Sequence, residues 1–284
     1  MKVIITGSSG QLGSELKDLW MSNKEYDLVF LDRAELDLSK PEDIEQILSQ
    51  QKPDYIIHSG AYTAVDLAET ELELANTVNH LATLEIAKYA EKNAVKLIYI
   101  STDYVFPGNV DMALEEDFPT DPINVYGETK RKGELAVLQH GENGIIIRTA
   151  WVYSVYGKNF VKTMLNLMHT RDEINVVSDQ IGTPTYAYDL AILIKQIVKG
   201  GNWVPGIYHY SNEGRISWYD FSVAIRDLEN LSCKINPIAS SAFPTAAKRP
   251  RFSLLSKEKV KRVFRVKVPG WKDSLRVMLD KLKH

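Results

Sequence analysis

Five short apolar runs, separated mostly by helix-length amphipathic stretches, fill the first 150 residues and leave the chain few possible folds. The runs are KVIIT (2–6), YDLVFLD (26–32), DYIIH (54–58), VKLIYIS (95–101) and GIIIRT (144–149). Their near-continuous apolar character is that of strands covered on both faces. Residues 11–21, 41–51, 71–93 and 125–139 carry helical patterns, the second opened by Ser39 as a cap. Such alternation demands parallel strands joined by right-handed crossovers. The fold class is therefore α/β, a doubly wound parallel sheet.

Beyond residue 150 the rhythm loosens. Helices are expected over 159–170, 188–199, 218–229 and 271–281, with extended segments at 174–178 and 206–210. The reading divides the chain into a dinucleotide-binding domain, 1–150, and a smaller C-terminal lobe, 151–284, mainly for substrate. Some segments of the lobe are expected to return to the first domain.

Composition excludes several classes of function. With 44% hydrophobic and 25% charged residues over 284 positions, the balance is that of a globular protein with a sizeable core. A net charge of −3 offers no basic surplus for nucleic acid or an anionic membrane. No apolar run approaches the ~20 residues of a membrane span. Cys233 is the one cysteine, so no internal disulfide can form, which fits a cytoplasmic location.

The turn after the first strand reads TGSSGQLG (6–13). Gly7 and Gly10 would let the backbone approach a pyrophosphate, and Gly13 would let helix pack closely on strand. The helix that begins at Gln11 and Leu12 supplies amide donors and a positive dipole end. The expected cofactor is NADPH or NADH. At the end of the second strand, Asp32 suits the ribose hydroxyls of NADH, whereas the adjacent Arg33 suits the 2′-phosphate of NADPH. Asp37 and Leu38 would lie near the adenine, although Asp37 could simply cap a turn. Ser59, Gly60, Ala61 and Tyr62, after the third strand, complete the expected cofactor wall.

NVYGETKRKG (124–133) places Tyr126 and Lys130 four apart, on one face of a helix. A lysine beside a phenol favours the phenolate, so the expectation is a Tyr126 pKa lowered toward neutrality. Thr102, at the end of the fourth strand, can meet Tyr126 over the cofactor and orient a substrate carbonyl. Lys130 would hold the nicotinamide ribose. Alternatively, Ser101 caps a strand end and Thr102 is an ordinary loop hydroxyl.

With these residues in place, the chain resembles the extended short-chain dehydrogenase/reductase superfamily and, more narrowly, its dTDP-4-dehydrorhamnose reductase family. The matching words are TGSSGQLG, AYTAVDLAE (61–69), STDYVFPG (101–108), NVYGETKRKGE (124–134), RTAWVY (148–153), NF (159–160) and DQIGTPTYA (179–187), with a looser match at KRPRFSLL (248–255). The resemblance implies a Rossmann-like fold and NAD(P)H-dependent reduction of the 4-keto group of dTDP-4-dehydro-L-rhamnose, with the proton from Tyr126. It also implies that Val65, Asp66, Asp103, Tyr104 and Trp151 line the sugar pocket. Arg249 would grip the substrate diphosphate, with Lys248 as the alternative.

The chain departs from the family in places. HSGAYT stands where an Asn-Ala-Ala-like word is usual, and His58 is given no role. Some members form a magnesium-bridged dimer through glutamates that include the equivalent of Glu15. Here Tyr188 stands where an acidic ligand would help, so magnesium is doubtful. A metal-free monomer is favoured over a homodimer. Two other functions fit the pattern: an NDP-sugar epimerase, which retains its nicotinamide between half-reactions, and a non-catalytic regulatory subunit of the methionine adenosyltransferase type.

Overall fold

The computed structural model describes residues 1–21, 25–141 and 143–283. Six parallel strands form the central sheet: β1 (Lys2–Thr6), β2 (Asp27–Leu31), β3 (Tyr55–His58), β4 (Lys96–Thr102), β5 (Gly144–Thr149) and β6 (Gly206–His209). Their spatial order is β6-β5-β4-β3-β1-β2. The strand order reverses between β1 and β3–β4, and ligands of such sheets sit beyond the carboxyl ends of the strands at that point. Thr6 pairs with His58, and Thr102 with Thr149, so these strand ends share one rim.

Helix α1 (Gln11–Trp20) buries Leu12, Leu16 and Trp20, spaced four apart on one stripe. It packs with Ile5, Ile57, Ile147 and the helix Ala187–Lys199 on one face of the sheet. The other face is covered by α2 (Ile44–Gln51) and α3 (Ala82–Lys92), with Ile4, Ile56, Leu97 and Ile146 beneath them. Strand β6, the helix Ala187–Lys199 and the helix Glu258–Phe264 come from beyond residue 150, yet they complete the first core. Periodicity alone could not assign them, because a run as short as GIYHY (206–210) has no label for the sheet it joins.

The stretch 71–93 is interrupted rather than one regular helix. Leu72–Asn76 is α-helical, Thr77–Leu81 is a π-helical turn, and α3 resumes at Ala82. Such turns insert one residue and often accompany function. The remaining chain packs a second core around Tyr153, Val161, Met164, Ile174, Tyr186, Phe221 and Leu275. Its extended pieces pair in twos, as Glu173–Val177 with Lys234–Ile238.

Candidate active site

Gly7 has φ +66°, and a Cβ there would meet the backbone of Gly60 at 2.6 Å. That turn lets the β1 end lie directly against the loop after β3, which a side chain would push apart. Gly10 is the N-cap residue of α1 and carries no side chain over the free amides. Gly13 packs one turn later, where a Cβ would lie 2.4 Å from the Gly7 carbonyl oxygen. The three glycines thus divide between anion access and close packing.

A cavity of about 560 Å³ starts at this turn. Its wall takes in Gly7, Gly10, Gln11, Leu12, Asp32, Arg33, Asp37 and Leu38. It continues past Ser59, Gly60, Ala61 and Tyr62 to Tyr126 and Lys130. Asp32 Oδ1 accepts from the Ala34 amide at 2.7 Å, which holds its carboxyl below the usual range. The Asp37 carboxylate accepts from the Ser39 amide and hydroxyl, so it both borders the cavity and caps a turn. The Arg33 side chain is 84% exposed and loosely paired with Asp37 at 3.9 Å, leaving its guanidinium open to a ligand.

Helix α4 (Val125–His140) carries Tyr126 and Lys130. Asn124 caps it: its Oδ1 accepts from the Gly127 amide at 2.8 Å, and its Nδ2 donates to the Lys248 carbonyl at 2.8 Å. Lys130 is buried, donates from Nζ to the Ile100 carbonyl at 2.7 Å, and lies 4.1 Å above the Tyr99 ring. Burial pushes its pKa down to about 7, with Glu134 acting in the opposite direction. Its charge, after burial, helps hold His58 at about 3, so His58 is a neutral core residue bonded to Thr6 and Thr83.

Tyr126 departs from the expectation of a lowered pKa. Burial pushes its hydroxyl up to about 12, a hydrogen bond with Thr102 opposes this, and the Asp103 charge adds to it. The Lys130 amine is turned to the Ile100 carbonyl, so the pair as it stands makes Tyr126 a proton donor rather than a phenolate. Thr102 stands beside the Tyr126 hydroxyl as expected, and also accepts from the Tyr104 amide at 3.2 Å.

A second cavity, of about 300 Å³, brings Asp66 and Arg249 together with Phe160, Met164, Val176, Gln180, Trp218, Phe243 and Thr245. Arg249 Nη2 donates to Asp66 Oδ2 at 2.7 Å. Tyr104 connects the two cavities: its ring packs edge-on against Tyr126 at 5.8 Å, and the Arg249 charge acts on its hydroxyl. Val65, Asp103, Tyr104 and Trp151 line neither cavity. Asp103 is buried, bonded to the Thr102 hydroxyl at 3.1 Å, and burial pushes its carboxyl up to about 6. Trp151, at φ +48°, stacks on Trp218 with ring centroids 3.7 Å apart.

Several contacts of the site gave no signal in the sequence. Asn79 sits in the π-helical turn, and its amide grips both the N–H and the C=O of Tyr62 and also bonds the Thr129 hydroxyl of α4. One side chain thus ties the cofactor wall to the helix of Tyr126. Phe160, Trp218 and Phe243 meet only through tertiary packing. Glu15, for its part, is buried, accepts from Ser154 at 2.6 Å and lies 3.5 Å from Lys281. Among the described residues no cluster of three or more His, Cys, Asp or Glu side chains could hold a metal.

A cavity that runs from a phosphate-sized glycine turn to a tyrosine and a buried lysine belongs, on this sheet, to the dinucleotide-dependent oxidoreductases of Rossmann type. The chain belongs to the RmlD substrate binding domain family, whose model matches residues 1–284. It is 39% identical to the dTDP-4-dehydrorhamnose reductase of Aggregatibacter actinomycetemcomitans, over 97% of each chain. It is similar to the crystal structure of a dTDP-4-dehydrorhamnose reductase from Clostridium acetobutylicum, with a TM-score of 0.95, 36% identity and full coverage of both chains. The enzyme of that name from Bacillus anthracis, solved in complex with NADP, gives a TM-score of 0.94 at 37% identity over 99% of each.

Proposed function

We propose that the chain reduces the 4-keto group of dTDP-4-dehydro-L-rhamnose to give dTDP-L-rhamnose, using NADPH or NADH. The observation that carries this reading is the link from the Tyr126 end of the first cavity, through Tyr104, to the Arg249 of the second. Gly7, Gly10 and the start of α1 would hold the pyrophosphate, Asp32 and Arg33 the adenosine ribose, and Lys130 the nicotinamide ribose. When bound, the nicotinamide supplies the hydride.

Thr102 orients the keto oxygen beside the Tyr126 hydroxyl. Tyr126, kept protonated by its surroundings, donates the proton that oxygen takes up on reduction. Arg249 accepts the diphosphate, and the aromatic wall of Phe160, Trp218 and Phe243 takes the base and sugar faces. Val65, Asp66, Asp103 and Trp151 support that wall from behind or beside it. Residues 1–150 then serve mainly the dinucleotide and 151–284 mainly the substrate.

The buried Glu15 carboxylate, engaged by Ser154 and Lys281, supports a metal-free monomer. The single Cys233 supports a cytoplasmic site of action. Among the described residues no helix is long and apolar enough to cross a membrane.

The test is oxidation of NADPH and NADH in the presence of dTDP-4-dehydro-L-rhamnose, comparing the wild type with Tyr126→Phe. Loss of a proton donor should lower kcat by about 10²–10⁴-fold while cofactor binding persists. A wild type that binds NADPH yet oxidises none with this substrate would overturn the reading.

A further inference from the structure

One turn beyond Lys130, the same helix carries Glu134, and its carboxylate is fully buried. Arg148 of β5 reaches it twice, from Nε to Oε1 at 2.8 Å and from Nη2 to Oε2 at 2.8 Å. Ser101 of β4 donates to Oε1 at 2.6 Å, and Arg131 to Oε2 at 2.9 Å. Arg148 is itself buried, with Phe106 4.9 Å from its guanidinium carbon and the Glu116 carbonyl accepting at 3.2 Å. Four donors on three side chains, one from each of β4, β5 and α4, therefore converge on one carboxylate one turn along the helix from Lys130.

Stability alone is a poor explanation for this arrangement. Stripping water from two charges costs several kcal/mol each, and apolar replacements of such pairs are often neutral or stabilising. Position is what the pair does supply. Lys130 bonds the Ile100 carbonyl and Glu134 the Ser101 hydroxyl, so the two fasten one helix to two successive residues of β4, immediately before Thr102. Arg148 fastens the same carboxylate to β5.

Charge is the second contribution. Lys130 faces the Tyr99 ring of β4 and the neutral His58 of β3, and it feels the charge of Glu134 one turn along its own helix. Glu134 is the carboxylate of that set, held between the Arg148 and Arg131 guanidiniums.

We propose that the buried Glu134–Arg148 pair is a positioning device for the reaction centre, fixing α4 against the ends of β4 and β5 and so setting where the Lys130 amine stands. The proposal rests on the reductase reading for its rate consequences, but its effect on Lys130 does not. Glu134 and Arg148 line neither cavity; Glu134 reaches the first one through Ser101, and the pair acts through Ser101, Lys130, Tyr126 and Thr102.

The experiment compares the wild type with Glu134→Gln and with the double variant Glu134→Leu/Arg148→Met, which removes both charges at similar volume. Thermal melts, pH profiles of kcat and kcat/KM, and the pH dependence of NADPH binding followed by cofactor fluorescence are recorded for each. The double variant should fold with a Tm near that of the wild type. In both variants the alkaline limb, where the ammonium is lost, should move to lower pH by about one unit or more, with kcat down roughly tenfold. The weakening of NADPH binding with rising pH should move in the same direction.

A folded double variant with the wild-type alkaline limb and kcat would overturn the proposal. So would a double variant that does not fold, since the pair would then be a stability element. A wild type inactive on the dTDP-sugar would sink the reductase reading alone. The NADPH-binding curves would still decide the pair, with coincident curves counting against it.

Discussion

Arg249 and Asp66 hold each other at 2.7 Å in the wall of the second cavity, although 183 residues separate them in the chain. The pair ties the segment around Ala247, whose amide also donates to Asp66, to the helix Val65–Ala68 that follows β3. Arg249 is only partly engaged by this contact, because a guanidinium has further donors for a diphosphate. Arg249→Ala should therefore raise KM for the dTDP-sugar by about 10–100-fold, the value of one charge-assisted contact. The Kd for NADPH should stay the same, since Arg249 lies outside the first cavity. Steady-state kinetics with a parallel cofactor titration check this, and an equal loss of both affinities would refute it.

Asp32 and Arg33 suit different cofactors, and their surroundings in the structure differ. The Asp32 carboxylate is already occupied by the Ala34 amide, whereas the Arg33 guanidinium stands open to solvent. Arg33→Ala should lower kcat/KM for NADPH by roughly 3–10-fold, the modest value of an exposed charge pair, and leave NADH nearly untouched. Raising the ionic strength should shrink the wild-type preference in the same way. Equal losses with the two cofactors would show that Arg33 does not meet the 2′-phosphate.

Local patterns made the first half of the chain legible, because each strand and its glycine turn, or its Tyr-x-x-x-Lys helix, is written in consecutive residues. Gly7, Asp32, Ser59, Tyr126 and Lys130 consequently fall on one cavity. What stayed hidden depends on long-range contact. Asn79 looks like any helical asparagine until the π-helical turn aims it at Tyr62. Phe160, Trp218 and Phe243 share a wall that no spacing foretells. The lowered Tyr126 pKa failed for a related reason: residue spacing places Lys130 nearby, but burial and the Ile100 carbonyl decide what its amine does.

Asp103 gives a pH-dependent stability. Its folded pKa of about 6 lies above the ordinary carboxylate value, so the folded chain keeps a proton that the unfolded chain releases between about pH 4 and 6. Stability from this group falls as pH rises through that window, and the full cost stands above it. Asp103→Asn should therefore stabilise the protein by about 2 kcal/mol at pH 7.5 and by much less at pH 4.5. Melting curves at the two pH values measure the difference. A gain of the same size at both would mean that the carboxyl is not held protonated.

Gly7 tests the cradle itself. An alanine there would carry φ +66° and set its Cβ 2.6 Å from the Gly60 backbone, which cannot swing aside as a side chain can. Gly7→Ala should cost about 2–4 kcal/mol of stability and weaken NADPH binding, as the β1 turn and the β3 loop separate. Chemical denaturation with and without NADPH reports both effects. A variant with wild-type stability and cofactor affinity would place the pyrophosphate elsewhere.

Trp218 offers a direct optical reading of the second cavity. Its ring is stacked on Trp151 with centroids 3.7 Å apart, lies 4.5 Å from Phe160, and also borders the cavity. An occupant that stacks on or beside this wall must change its surroundings. Titrating dTDP should therefore alter tryptophan emission saturably, and Trp218→Phe should abolish most of the change while still binding. Trp218→Ala should weaken dTDP by about 5–100-fold, the range of a base or sugar face losing its aromatic partner. NADPH binding should not respond, because Trp218 does not border the first cavity. If dTDP binds Trp218→Ala as tightly as the wild type, the nucleotide end of the substrate does not occupy this wall, and Arg249 must meet the diphosphate from another side.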